Sequence, residues 1–409
     1  MSSDKAANRI ISMDQFRGYT VAGMFLVNFV GSYAVVKKYL PAIPHGDGYF
    51  AYADSIMPSF MFCAGFSYRL TALRRFPQLG TTAASWSYVR RSLALVGISL
   101  VIFGLGKSFD KWNDMTADTV SNWLWELIKA DLWEVLSIIG VSQILLLPVI
   151  NRSFLVRLTS ALGLFVAYIL MNYSFDYNFQ EGTENWMNDY FGADDRNSWD
   201  GGFFGPIAWS IPILAGTLVY DVVSTRPLQK AMASFLIVGA VLMLAGYGVS
   251  CLTRLYDRVE GTASAKDEVH AVDPVWPAAE RWKNPGIGWA EPPFFAKADN
   301  KLRQHNFWMM KKRIMAPSFI LFSIGFALFL YALFIAASDL GGLQASLFRT
   351  LGQNPLAAYI VHELVMHCIT PVVPEDSEWW WVATSFTAFF AITWGALKYM
   401  ENNKLYLRL

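Results

Sequence analysis

The sequence predicts an all-α fold, a polytopic bundle of membrane-spanning helices, and three observations carry that prediction. Apolar residues make up 54% of the 409-residue chain and charged residues only 16%, against about 25% charged in an average soluble domain. The apolar residues arrive in blocks about 20 long, the length needed to cross a bilayer core of about 30 Å. These blocks are too long and too continuous for barrel strands of about 9 to 11 residues, so backbone satisfaction in lipid leaves helices.

Apolar windows place spans near residues 18–37, 53–73, 92–108, 132–150, 154–173, 204–222, 231–252, 315–337, 350–371 and 380–399. That is ten spans, with eleven as the alternative count, in a single transmembrane domain over residues 1–409. The opening MSSDKAANRIISMDQFRG runs into the first apolar block without a cleavage pattern, so the first helix is expected to act as its own insertion signal. Arg69, Arg74, Arg75, Arg90 and Arg91 flank the second connection, Arg152 and Arg157 the fourth, Arg226 and Lys230 the sixth. Positive residues collect on the cytoplasmic side, which puts both termini there and the loop at 38–52 outside. The acidic stretch from Asp176 to Asp200 then also falls outside.

The long connection 253–314 carries eleven Lys and Arg, yet the count makes it extracytoplasmic. Long loops translocate largely regardless of charge. Its run PVWPAAERWKNPGIGWAEPPFF is rich in Pro, Gly and Trp, which suggests an ordered cap with little regular structure. No internal repeat is visible, so the repeat signature of many secondary transporters is absent from the sequence.

Several chemistries find no support. A net charge of +1 without a long basic run argues against a nucleic-acid partner. Cys63, Cys251 and Cys368 form no CxxC pair and no metal spacing, so they read as inert thiols, with a Cys251–Cys368 bridge as the alternative. There is no GxGxxG, Walker lysine, HExxH or GxSxG, and no metal site is expected.

Polar groups within spans are expensive, so each invites a functional reading. Asp14, Arg17 and Gly18 stand at the mouth of the first helix with Asn28 inside it; a capping Asp14 and a snorkelling Arg17 are the plainer alternative. His45 sits in the turn Pro44-His45-Gly46-Asp47-Gly48, nine residues before Asp54. A carboxylate behind an imidazole selects its tautomer and stabilises its cation, the usual arrangement for base or nucleophile work, although a solvated surface histidine fits the spacing as well. In LGQNPLAAYIVHE, residues Asn354, Tyr359, His362 and Glu363 follow one another; Tyr359, His362 and Glu363 share a helix face that must turn to protein or water. Finally, Lys311-Lys312-Arg313 precedes Ala316-Pro317-Ser318-Phe319; these cations face outside on this count, which binding of an anionic ligand, with Arg313 and Ser318 as the candidate residues, or a misplaced span count would explain.

Four ordered tracts carry a resemblance. MDQFRGYTVAGMFLVN resembles the opening of heparan-α-glucosaminide N-acetyltransferase and its bacterial relatives, with a loop histidine following. Ala53 to Gly65 matches that family's A-D-x-x-F-P-x-F-x-F-x-x-G except that Met57 replaces Phe. APSFILFSIGFALFLYALF is similar to its W-x-P-S-Y-x-L-F segment, and LGQNPLAAYIVHE to its G-x-N-x-L-x-x-Y-x-x-H-E. The resemblance covers roughly residues 13–70 and 311–365. One tract departs, because the family's V-L-Q-R-I stands here as Val135-Leu136-Ser137-Ile138-Ile139.

The resemblance implies a membrane-bound acyltransferase in a bacterial cytoplasmic (inner) membrane. It would move an acetyl group from cytosolic acetyl-CoA to an amino or hydroxyl group of an extracytoplasmic sugar or envelope glycan. His45 would be the catalytic histidine, Asn28 would position the thioester or its oxyanion, and Asp54 would orient His45. Arg17, Asn354, Tyr359, His362, Glu363, Arg313 and Ser318 would line the acyl-CoA site. A homodimer stays open, and a small-solute permease using the same buried polar face is the alternative function.

Overall fold

The computed structural model describes residues 10–46, 48–104, 109–175, 186, 200–257, 271, 273–283 and 304–407. Among them the helices are α1 (Ile11–Val30), α2 (Ala34–Tyr39), α3 (Tyr52–Leu79), α4 (Thr81–Phe103), α5 (Ala117–Glu126), α6 (Val135–Ile150) and α7 (Phe154–Ser174). They continue as α8 (Gly205–Thr225), α9 (Leu228–Ser250), α10 (Ala279–Lys283), α11 (Pro317–Phe334), α12 (Ser346–Gln353), α13 (Pro355–Ile369) and α14 (Trp379–Asn402), with no strand among the described residues. The protein is an all-α, polytopic membrane protein.

Seven of these helices with their flanking turns, α4, α7, α8, α9, α11, α13 and α14, are long and apolar enough to cross a membrane. α5 with α6 adds an eighth if the pair, bent by 85°, is one broken span. The remaining two expected spans are α1 and α3, whose charges explain why they fall short: Asp14 and Arg17 in one, Asp54, Arg69, Arg74 and Arg75 in the other. A helix carrying such groups is tolerated only inside a bundle, and both are largely buried, whereas α7 and α9 bury narrow stripes and leave the rest of their apolar surface outward.

Close approach holds the centre together. A β-carbon on Gly18 of α1 would collide with the Phe348 carbonyl, and one on Gly352 with the Asp14 carbonyl, so α1 and α12 touch backbone to backbone. Gly65 and Gly216 do the same for α3 and α8. Small residues at such crossings give membrane helices the van der Waals contact that drives their association. Around them Phe16, Phe62, Phe66 and Phe235 surround Tyr331, which is fully buried.

Several expectations are corrected. The first span starts at Ile11, seven residues earlier than its apolar window, and ends at Val30, because the polar first turns continue the helix. The third, expected at 92–108, starts earlier, at Thr81, and its helix α4 ends at Phe103, while residues 105–108 lie outside the described residues. The ninth is two helices: the residue before a proline is disfavoured in α conformation, and Asn354 (φ −133°, ψ 57°) breaks the chain ahead of Pro355. All three cysteines are free, so Cys251 and Cys368 are not bridged. Arg69 and Arg157, read as loop charges, are buried, and both pair with Asp221 of α8. Most of Asp176–Asp200 lies outside the described residues. The described pieces of 253–314 are a 3₁₀ turn, the short α10 and a buried non-helical stretch at Phe307–Met315.

Candidate active site

α1 and α3 run antiparallel, which sets two groups of polar residues at opposite ends. At one end Arg17 donates to Ser67 Oγ of α3 (2.7 Å) and to the Gly352 carbonyl (3.2 Å). At the other are Asn28 and the start of α3. Eleven residues of helix separate Arg17 from Asn28, roughly 16 Å at a rise of 1.5 Å each.

The second end is organised by Asp54, which is 1% exposed. One carboxylate oxygen accepts the N–H groups of Gly46 and Ala51, each at 3.0 Å, which ties the loop to the first turn of α3. The other lies 2.7 Å from His45 Nδ1. An ionised carboxylate only accepts hydrogen bonds, so Nδ1 carries the proton and Nε2 of the neutral ring keeps its lone pair. His45 itself is half-exposed, at 48% of its side chain, and lines a cavity of about 600 Å³.

Asn28 faces the same cavity. Its amide nitrogen is 3.3 Å from His362 Nε2, and His362 Nδ1 is 2.6 Å from the Tyr359 carbonyl. Donation from Nδ1 to that carbonyl leaves Nε2 to accept from the Asn28 amide, which fixes the amide's orientation. The Glu363 carboxylate stands 3.3 Å from the same Nε2, an ion pair that forms only when the ring takes a second proton. Phe25 stacks on the imidazole (5.1 Å, 22°), locking it in place. Tyr359 and Glu363 reach the cavity wall.

The cavity also contains groups that the sequence did not single out. Lys312, not Arg313, enters it, paired with Asp200 at 2.8 Å, and Glu134 joins them. Glu134 is at the N-cap of α6 but does not cap that helix. A turn decides which of the consecutive basic residues points inward: Gly201 N–H donates to the Arg313 carbonyl at 2.8 Å, and Met315 has φ 48°.

A second cavity of about 330 Å³ contains Arg17, together with Arg75 and Arg91. Arg75 is held by Ser87 (2.8 Å) and lies over the Tyr88 ring. Arg91 Nε is buried without a hydrogen-bond partner among the described residues. Arg17 also borders a third cavity of about 800 Å³, beside Arg74 and Asp339.

The predicted site residues therefore separate. His45, Asn28, Tyr359 and Glu363 line one cavity, with Asp54 bonded to His45 and His362 to Asn28 behind them, and Arg17 lies at the other. Asn354 uses its amide to hold the C-terminal segment, bonding the Leu405 carbonyl (3.0 Å) and the Leu407 N–H (3.2 Å). The Ser318 hydroxyl is fully buried and donates to the Met309 carbonyl at 3.1 Å. Neither Asn354, Ser318 nor Arg313 lines the cavities of His45 or Arg17. In the departing tract Ser137 and Ile138 are buried and line neither, while Val135 lines the first cavity and Leu136 and Ile139 the second.

No curated protein matches the chain. A family profile described as heparan-alpha-glucosaminide N-acetyltransferase, catalytic, matches residues 9–253. The match spans more than half of the 409 residues and includes Arg17, Asn28, His45 and Asp54; Tyr359, His362 and Glu363 come from beyond it and meet them at the same cavity. The chain belongs to the heparan-α-glucosaminide N-acetyltransferase family, a family of membrane acetyltransferases.

Proposed function

We propose that this protein transfers an acetyl or short acyl group from acyl-CoA, bound at the Arg17 end, to an amino or hydroxyl group of a sugar bound at the His45 end. One observation carries the reading: a carboxylate-backed histidine and an oriented amide face one cavity, and an arginine-lined cavity adjoins it along the same helices. Three guanidiniums suit a phosphorylated donor, because guanidinium matches phosphate geometry with paired donors.

In the covalent form of the mechanism, the lone pair of His45 Nε2 attacks the thioester carbonyl carbon. The C–S bond breaks and CoA leaves as a thiolate, which takes a proton from water. Asp54 stabilises the acylimidazolium through Nδ1–H, and the Asn28 N–H donates to the oxyanion. The acceptor's nitrogen or oxygen then attacks the same carbon, the bond to Nε2 breaks, and the acceptor's proton passes to the freed nitrogen and on to water. In the general-base form Nε2 takes that proton directly and no acyl enzyme forms. A radiolabelled acetyl group trapped on the protein separates the two.

Residues 1–409 act in this reading as one domain in a bacterial inner membrane, with the termini and donor on the cytoplasmic side and the sugar outside. Saturating acetyl-CoA should stabilise the purified protein, by about 2.7 kcal/mol at one hundred times its Kd. His45→Ala should keep that stabilisation and lose acetyl transfer. Undiminished transfer by His45→Ala would refute the assignment, and solute flux without any acyl transfer would favour a permease.

A further inference from the structure

Both cavities share one wall. Along α3 the lining residues include Ala53, Met57, Phe60, Ala64, Ser67 and Thr71, spaced by three or four, so a single face of one helix runs through both. Phe60 lines both cavities, and no other described residue does. It is also the one position between Ala53 and Cys63 on that helix that is not fully buried.

Its surroundings hold the ring less tightly than those of its aromatic neighbours on the helix. Phe62 and Phe66, on the opposite face, are held by aromatic neighbours, whereas no aromatic ring among the described residues stacks on Phe60. Pro58, two residues earlier, has no N–H to give the Asp54 carbonyl, so the helix lacks a hydrogen bond just before Phe60. Beyond it, Ala64 is small, and Leu136 and Ile139 make the facing wall apolar. An apolar constriction of this kind excludes water and ions by dewetting.

We infer that Phe60 is the movable barrier between the two cavities and a determinant of donor specificity. It closes the path when the site is empty and yields to a slender thioester arm while rejecting branched acyl groups. The donor part of this inference rests on the acyl-transfer reading; the barrier does not.

The test uses the full chain in membrane vesicles, with Cys63→Ala, Cys251→Ser and Cys368→Ser, and Ala64→Cys as the reporter just beyond the ring. A cationic, membrane-impermeant methanethiosulfonate is added from the face on which His45 opens. With Phe60 present the thiol should stay unmodified; Phe60→Ala should speed modification at least tenfold, and Phe60→Leu should lie between. The same Phe60→Ala change should raise kcat/KM for isobutyryl-CoA relative to acetyl-CoA at least tenfold. Equal modification with and without the ring, or a Phe60→Ala protein that transfers acetyl with neither change, overturns the inference. Opened access in a protein that transfers no acyl group in any form supports the barrier and counts against the acyl-transfer reading instead.

Discussion

The two ends of α1 are built from different chemistry. At the Arg17 end guanidiniums predominate, Arg17, Arg75 and Arg91, steadied by the Asp14 carboxylate, hydroxyls, a carbonyl and a ring face. At the His45 end imidazoles and carboxylates predominate beside Lys312, with Asp54 held by three hydrogen bonds and His362 by two ring nitrogens that each have a partner. Guanidiniums hold a charge and do not exchange protons near neutral pH; imidazoles do the reverse. The contrast teaches that one end is suited to retaining a ligand and the other to changing it. Substitutions at the first end should therefore alter binding, and substitutions at the second should alter turnover.

The largest effect should come at the His45 end, from Asn28→Ala. Removing one oriented oxyanion donor costs about 10² to 10³ in kcat, and the alanine also frees His362 Nε2 from its only amide partner. KM for acetyl-CoA should stay within about twofold, because the amide acts after the donor has bound. Steady-state kinetics on vesicles decide it. A variant that lost donor affinity and kept kcat would erase the distinction between the two ends.

Arg91→Gln should do the opposite. A hydrogen bond to a charged group contributes about 1.5 to 3 kcal/mol, so KM for acetyl-CoA should rise roughly ten- to hundredfold with kcat little changed. There is a second signature. Among the described residues Arg91 Nε is buried without a hydrogen-bond partner, and it lies in the same cavity as Arg75 and Arg17, so the unliganded variant should be no less stable than the parent. Thermal unfolding with and without donor measures both. Loss of stability without donor would mean that Arg91 holds the bundle together instead of holding a ligand.

The sequence revealed the helices because lipid imposes a strict length and composition on each apolar block, and α1 and α3 were legible despite their charges. The His45–Asp54 pair was legible too, since Pro44 and Gly46 confine the turn and only eight residues intervene. What stayed hidden was set by non-periodic chain. Lys312 was passed over for Arg313 because a turn with a left-handed Met315 chooses between them. Asp200 and Glu134 sit at a loop end and a helix bend, where no period points anywhere. Asn354 looked like a ligand-binding amide, but its position before a proline puts it at a break, where it clamps the C-terminal segment. Phe60 lies in the Ala53–Gly65 tract without any polar group to mark it, and only the meeting of the two cavities singles it out.

Ser318→Ala gives the smallest effect and the cleanest control for the comparison. The serine was a candidate donor-binding residue, yet its hydroxyl donates to the Met309 carbonyl and is fully buried on the first turn of α11. That bond joins α11 to the stretch that carries Lys312 into the His45 cavity. Alanine removes that bond but leaves the carbonyl its second donor, the Lys311 N–H at 2.8 Å, so the loss is that of one ordinary hydrogen bond, about 0.5 to 1.5 kcal/mol. Unfolding in denaturant should record that loss, while kcat and KM for acetyl-CoA stay as in the parent, since the hydroxyl faces neither cavity. A rise in KM at unchanged stability would return Ser318 to the donor site. It would also mean that the donor reaches well beyond the three arginines, and the division of labour along α1 would then have to be redrawn.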